Sequence, residues 1–242
     1  MKYAIIAAGE GSRLAGEGVQ MPKPLVEVGG ERLIDRLIRI FSDNGAEEIV
    51  VICNDKASAV GNHLAELQKN GLRGRRVPLS FIVKSTPSSM HSLYEMSTLL
   101  DGGPFCLTTV DTIFDEKEFA GYISAMEDAM TADSADGLMG VTAYVDDEKP
   151  LYISTDGGSR ITGFHDEAGN WPYVSGGIYG LSAKALQTLR SCIARGESRM
   201  RNFQRAMVAD GLRLKAFPFS KILDVDHRDD IAKAEEFLRA QD

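Results

Sequence analysis

No apolar stretch in this chain runs more than a few residues before a charge or a glycine interrupts it, so a membrane-spanning helix is excluded. The opening MKYAIIAAGEGSR has one lysine and an apolar run too short for a secretory signal, leading directly into a glycine-rich turn; it reads as a buried first strand. Cysteine is scarce. Cys53, Cys106 and Cys192 lie far apart with neither a CxxC pair nor zinc spacing, and Cys53 and Cys106 sit inside apolar runs. Buried free thiols in a reducing cytoplasm are the expectation. Positive charge is also short: a net charge of -8 excludes broad attraction to nucleic acid or an anionic membrane, while leaving room for a local phosphate pocket. There is no Gly-Lys-Ser/Thr tripeptide, hence no Walker loop, and Leu14 stands where the dinucleotide fingerprint needs its third glycine. His63, His91, His165 and His227 have no partners at motif spacing, so no Ser-His-Asp or Cys-His arrangement is visible. Internal repeats and low-complexity segments are absent as well.

What remains is an ordinary globular composition, 43% hydrophobic and 26% charged, in a chain of 242 residues that can form a single α/β domain. Apolar runs at Tyr3 to Ala8, Glu48 to Cys53, Leu79 to Val83 and Phe105 to Val110 read as strands. Segments with three-and-four apolar spacing lie between and after them, at Glu31 to Asn44, Lys56 to Asn70, Ser88 to Leu100 and Glu116 to Met130. Such alternation predicts a three-layer, Rossmann-like, mainly parallel sheet with helices on both faces. The second half changes character: strands at Gly137 to Val145, Leu151 to Thr155, Arg160 to His165 and Tyr173 to Leu181 are separated by turns, DGG and EAGN among them. Helices at Ala183 to Ala194 and Arg201 to Ala209, a strand near Leu212 to Phe217 and a helix near Asp229 to Ala240 follow. The expectation is one domain, with a nucleotide-binding half over about 1–135 and an acceptor-binding, closing half over about 136–242.

Ala7-Ala8-Gly9-Glu10-Gly11-Ser12-Arg13-Leu14 follows the first strand directly. In open parallel sheets ligands bind beyond the carboxyl ends of the strands. Glycines there let backbone N–H groups approach phosphate oxygens, and the forked guanidinium of Arg13 suits the same ligand. A tight βα turn without a ligand is the bland alternative. Lys23 stands between Pro22 and Pro24, on stiff backbone suited to holding a charge at one point; an exposed loop lysine is the alternative. Asp111 ends the strand FCLTTV on the same carboxyl edge, and a phosphate-rich substrate in an acidic protein calls for a divalent cation on one or two carboxylates.

Together, AAGEGSRL followed by PKPLVEV resembles the N-terminal signature of the sugar-nucleotide pyrophosphorylase-like nucleotidyltransferase superfamily, strongly over the first forty residues or so and by architecture beyond them. The resemblance implies a GT-A-type fold and transfer of a nucleoside monophosphate from a nucleoside triphosphate to a small phosphorylated acceptor, with Mg2+ and release of pyrophosphate. It implies triphosphate contacts from Gly9, Gly11, Ser12 and Arg13, a charge from Lys23 at the reacting phosphorus, and Ala8 and Gly9 near the base. Asp111 is then a metal ligand. The second ligand comes from Ile222-Leu223-Asp224-Val225-Asp226-His227, which looks like the family's closing segment. In an extended chain Asp224 and Asp226 face one side; Asp226 is the favoured ligand, with a helix N-cap as its alternative use.

The loop Lys84 to Leu93 lacks the common glutamine–glycine–threonine form and looks more like choline-phosphate cytidylyltransferase relatives. Ser88 and Ser89 are nucleotide-binding candidates there, though helix capping alone would explain them. Val174-Ser175-Gly176-Gly177-Ile178-Tyr179 resembles the family's Asn-Ala-Gly-Ile-Tyr strand, which makes Gly176, Gly177 and Tyr179 the acceptor-site candidates; for the two glycines a β-bulge is the alternative. The base stays open, and so does the acceptor, a sugar 1-phosphate or a phosphocholine-like alcohol. Rival readings are a GT-A-type glycosyltransferase, a molybdopterin guanylyltransferase-like enzyme and a non-catalytic nucleotide or nucleotide-sugar sensor. No appended oligomerisation helix or β-helix repeat is expected after the domain, and a homo-oligomer remains open.

Overall fold

The structure, a computed structural model, describes residues 1–241. The first strand, β1 (Lys2–Ala7), leads into a short helix α1 (Ser12–Gly16), a single 3-10 turn at Lys23–Leu25, and the strands β2 (Glu27–Val28) and β3 (Glu31–Arg32). Next come α2 (Leu33–Asp43), β4 (Glu48–Cys53), α3 (Ser58–Asn70), β5 (Leu79–Val83), α4 (Ser89–Leu100), β6 (Phe105–Thr109), β7 (Thr112–Phe114) and α5 (Glu116–Thr131). The second half contains β8 (Gly137–Thr142), β9 (Tyr152–Thr155), β10 (Ile161–His165), β11 (Tyr173–Leu181), α6 (Lys184–Ala194) and α7 (Met200–Ala209). It closes with β12 (Leu214–Phe219), β13 (Ile222–Asp224) and α8 (Arg228–Arg239).

Strands β5, β4, β1 and β6 lie side by side and parallel, and β11 joins β6 antiparallel. Strand β8 pairs with β11 and carries β12 on its other side, while β9 and β10 extend the sheet beyond β11. Alternation along β1 shows why both faces are covered. Tyr3, Ile5 and Ala7 join the apolar layer formed with α2, α3 and α5; Ala4 and Ile6 join the layer formed with α4, α6 and α7. A strand buried on both faces must be apolar throughout, which is the pattern YAIIA supplies. The three-layer, mainly parallel architecture is as expected.

The differences are local. Glu31 and Arg32 do not begin the helix, because they pair with Val28 and Glu27 across Gly29-Gly30, and α2 starts at Leu33. Strand β8 stops at Thr142, leaving Tyr144 and Val145 in a loop as partly exposed apolar side chains. Two short strands escape the sequence pattern altogether: β7 and β13 pair antiparallel, three residues each. Runs that short carry no periodicity to read.

Candidate active site

Chain order sets the location. From β1 the chain moves outward through β4 to β5, then returns to the other side of β1 as β6, so the strand order reverses between β1 and β6. A crevice opens beyond the carboxyl ends of such a pair, here between the glycine-rich loop after Ala7 and the residues after Thr109. Within that loop Gly11 adopts a left-handed conformation (φ 61°), and a Cβ there would lie 3.0 Å from the Cβ of Lys23. Glycine is therefore required both by the backbone and by the close approach of the two motifs. A Cβ on Gly9 would meet nothing within 4 Å. The loop is pinned from β4: the Asn54 side-chain amide donates to Gly9 O at 3.1 Å, and its oxygen accepts from Ala57 N at 3.0 Å.

Lys23 is 9% exposed, and its ammonium donates to a carboxylate oxygen of Asp111 and to Asp226 Oδ1 at 2.6 Å. Arg13 Nη1 donates to the other Asp226 oxygen at 2.7 Å. Burial alone would lower the lysine, but Asp111 and then Asp226 outweigh it and hold Lys23 above its ordinary value, firmly protonated. Residues 111 and 226 meet because β13 pairs with β7: Asp224 lies opposite Thr112, and Val225 N donates to Asp111 O at 3.1 Å. Asp226 does not cap α8. The Asp230 carboxylate takes that part, accepting from Asp226 N at 3.2 Å and His227 N at 2.8 Å, which leaves the Asp226 carboxylate facing the crevice.

Asp224 shares the crevice but bonds neither Lys23 nor Arg13. Desolvation, followed by the charges of Asp111 and Asp226, pushes its carboxyl upward. Since Asp224 is exposed by surface area, crowding by like charges is the firmer cause of that direction. The carboxylates of Asp111 and Asp226, with the charge of Asp224 nearby, form a place that welcomes positive charge. Magnesium uses one or two carboxylates and takes its other oxygens from water and substrate. The convergence of Asp111 and Asp226 on one ammonium shows that both can face a single cation, so the pair fits such an ion. Among the described residues no group of three or more His, Cys, Asp or Glu side chains forms a ready-made metal cage.

Two cavities meet here. The first, about 490 Å³, is lined by Ala8, Gly9, Gly11, Ser12, Arg13, Lys23, Ser88, Ser89, Asp111 and Asp226, which brings together every nucleotide and metal candidate read from the sequence. The second, about 390 Å³, shares Arg13 and Asp226 with the first and is also lined by Ser175, Gly176 and Asp224. Of the three acceptor-site candidates, Gly176 lines this cavity. Gly177 and Tyr179 line neither cavity. The register of β11 on β8 shifts between Ser175 and Ile178, a bulge that turns Gly177 (φ 72°) onto the hydroxyls of Thr109 and Thr112. Tyr179, 5% exposed, packs in the apolar layer beside α4 and α6. At Gly176 a Cβ would lie 2.1 Å from Ile222 Cδ1, at the flexible end of that side chain, and 3.1 Å from Gly140 O, so a larger residue would have to push the Ile222 side chain of β13 aside.

Sequence reading missed several parts of the site. Thr86 and Ser92 line the first cavity, their hydroxyls 2.6 Å apart. Asn54 directly follows the apolar strand EIVVIC on the same edge as the glycine turn, a position that could have drawn notice. The run Asp146-Asp147-Glu148, between β8 and β9, forms an acidic wall of the second cavity. Glu17, just after α1, accepts Arg228 N at 2.6 Å and lies 2.6 Å from His227 Nδ1, latching the glycine-loop region to the start of α8.

A cleft at the switch point of a three-layer parallel sheet, with the glycine turn on its rim, defines a Rossmann-like nucleotide-binding class. Within it, the chain belongs to the nucleotidyl transferase family, which it matches over residues 2–241. It is 26% identical over 238 residues to a bifunctional IPC transferase and DIPP synthase of Rubrobacter xylanophilus, covering 97% of this chain and 51% of that protein. A shorter match, 32% identical over 65 residues, is to a glucose-1-phosphate cytidylyltransferase of Salmonella typhimurium and covers 27% of this chain and 25% of that one. The chain thus spans about half of one relative's length and matches a quarter of the other's. Among solved structures, the inositol-1-phosphate CTP transferase of T. maritima shares the fold, with a TM-score of 0.79 at 20% identity over 99% of this chain and 95% of that one. Among the described residues no helix is long and apolar enough to cross a membrane.

Proposed function

We propose that this protein transfers a nucleoside monophosphate from a nucleoside triphosphate to a small phosphorylated acceptor, releasing pyrophosphate. The convergence of Arg13, Lys23, Asp111 and Asp226 where two cavities join carries this reading. The triphosphate lies in the first cavity along the glycine-rich loop, with Arg13 on its outer phosphates. The acceptor enters the second. An oxygen of the acceptor phosphate attacks the α-phosphorus in line; the new P–O bond forms as the bond to the β-phosphate oxygen breaks. Because that phosphate is ionised at neutral pH, no general base is needed, in keeping with a site that lacks a histidine dyad. Lys23, held rigidly by its flanking prolines, stabilises the charge that builds at the α-phosphate. Asp111 and Asp226 would hold a magnesium ion, which when bound neutralises phosphate charge. Three free cysteines, all buried, agree with a cytoplasmic setting.

Of the two acceptor classes, the second cavity favours a phosphocholine-like one. It is lined by Asp146, Asp147, Glu148, Asp224, Asp226, Asp229 and Asp230, against the permanent cations Arg13 and Lys233. Sugar hydroxyls can donate to carboxylates, but so large an excess of negative charge suits an acceptor whose far end is cationic. Tyr144 on the same wall already carries the Lys221 ammonium over its ring, 4.4 Å from the centroid, a contact of the kind an ammonium-bearing acceptor would make. The test is pyrophosphate release with each of CTP, UTP, GTP, ATP and dTTP against phosphocholine and a panel of sugar 1-phosphates, with and without magnesium. Turnover only with sugar 1-phosphates would remove the charge argument; tight nucleotide binding with no turnover anywhere would favour a sensor.

A further inference from the structure

The ammonium of Lys23 occupies the point between Asp111 and Asp226. This is not a loosely placed surface lysine. It is 9% exposed, its neighbours on both sides are prolines, and the left-handed Gly11 packs against its Cβ. Arg13 occupies the remaining oxygen of Asp226. Both acidic side chains are therefore satisfied from within the chain before any ligand arrives, each by a group that the proposed function also assigns to phosphate. A divalent ion between the same carboxylates would lie against the ammonium, and two like charges cannot share that position at hydrogen-bonding range.

We infer that Lys23 is an internal counter-ion that occupies the metal position of the free protein, so that Lys23 and the divalent cation compete for Asp111 and Asp226. Phosphate resolves the competition. When a triphosphate enters the first cavity, its oxygens offer Lys23 and Arg13 new partners; the carboxylates are released at the moment a metal ion and further oxygen ligands become available. The free protein then takes up metal poorly, and nucleotide and metal bind with positive coupling, each tightening the other by the same factor.

The inference rests on the reading of Asp111 and Asp226 as metal ligands, and the test separates the two. Mn2+ alone is titrated into the wild-type protein and K23M, followed by the electron paramagnetic resonance of free Mn2+, with no nucleotide present. K23M keeps the apolar stem and removes the charge. We expect it to bind Mn2+ at least roughly tenfold more tightly than wild type, and D111N in the same background to abolish the gain. Equal affinities, or weaker binding by K23M, would overturn the competition while leaving the metal ligands in place. Absence of Mn2+ binding by both proteins even with the nucleoside triphosphate panel would sink the metal reading itself. Should K23M fail to fold, thermal melting of the wild type decides. Magnesium alone should leave its midpoint unmoved and magnesium with the productive triphosphate should raise it, whereas a rise with magnesium alone refutes the inference.

Discussion

Two glycines of the same loop should respond in opposite ways to one added methyl group. Gly11 has φ 61°, and a Cβ there would stand 3.0 Å from Lys23 Cβ. The left-handed conformation costs a non-glycine residue about 1–2 kcal/mol. The crowding adds to that, because Lys23 is fixed between prolines and cannot step back, while alanine's smaller unfolded-state entropy returns about 0.4–1 kcal/mol. Gly11→Ala should therefore destabilise the protein by about 1–2 kcal/mol, lowering the melting midpoint by roughly 2–8 °C for a domain of this size. Gly9 has no positive φ, and a Cβ there meets no atom within 4 Å, so Gly9→Ala should melt within about 1 °C of wild type. Its methyl group instead narrows the path by which phosphate reaches the loop backbone. Nucleotide affinity should fall by about tenfold or more, the equivalent of one lost phosphate hydrogen bond. Thermal melting and nucleotide titration on the two variants are sufficient. A Gly9→Ala protein with unchanged nucleotide affinity would show that the loop is not the phosphate cradle, and a Gly11→Ala protein as stable as wild type would refute the packing argument.

Lys23→Ala should lower turnover by at least about a hundredfold while changing nucleotide affinity much less, since its charge acts at the reacting phosphate; a mere rise in KM at constant kcat would place Lys23 in binding alone. Asp111→Asn should raise the magnesium concentration needed for half-maximal activity by about tenfold or more, and an unchanged magnesium profile would place the ion elsewhere. Replacing Asp147 and Glu148 together by Asn and Gln should raise the KM for a cationic acceptor about fivefold without touching that for the nucleotide; equal effects on both substrates would contradict the two-cavity reading. Arg199, ahead of α7, has φ 74° and ψ 139°, a conformation that costs a side-chain-bearing residue about 1–3 kcal/mol. Arg199→Gly should therefore raise the melting midpoint by a few degrees, as about 1 kcal/mol does at this size, and a lower midpoint would mean that the side chain earns its strain through a contact.

Local chemistry made much of this protein legible in advance. Runs such as YAIIA and EIVVIC can only be strands buried on both faces, and the glycine turn, the Pro-Lys-Pro step and Asp111 each sit at a point where the chain leaves a strand or a helix must begin. Because parallel strands present their carboxyl ends along one edge, that pattern placed Ala8 to Arg13 and Asp111 on a common rim without any knowledge of distance. The choice between Asp224 and Asp226 lay beyond it, since an extended segment puts both on one side. In the structure β13 pairs with β7, and Lys23 and Arg13 bond Asp226 and not Asp224. The place of Tyr179 in the apolar layer has a related reason: strand alternation counts residues evenly, and the bulge at Gly176 and Gly177 interrupts the count. The acidic wall of the second cavity has no motif of its own, because Asp146 to Glu148 form it only where residues of β11, β13 and α8 line the same space. Sequence by itself determined the longer elements and the sheet edge that carries the glycine turn, Lys23 and Asp111, all set by forces acting within one segment. Only the tertiary structure decided which carboxylates meet the Lys23 ammonium and which residues line the second cavity, because those depend on register between segments more than a hundred residues apart.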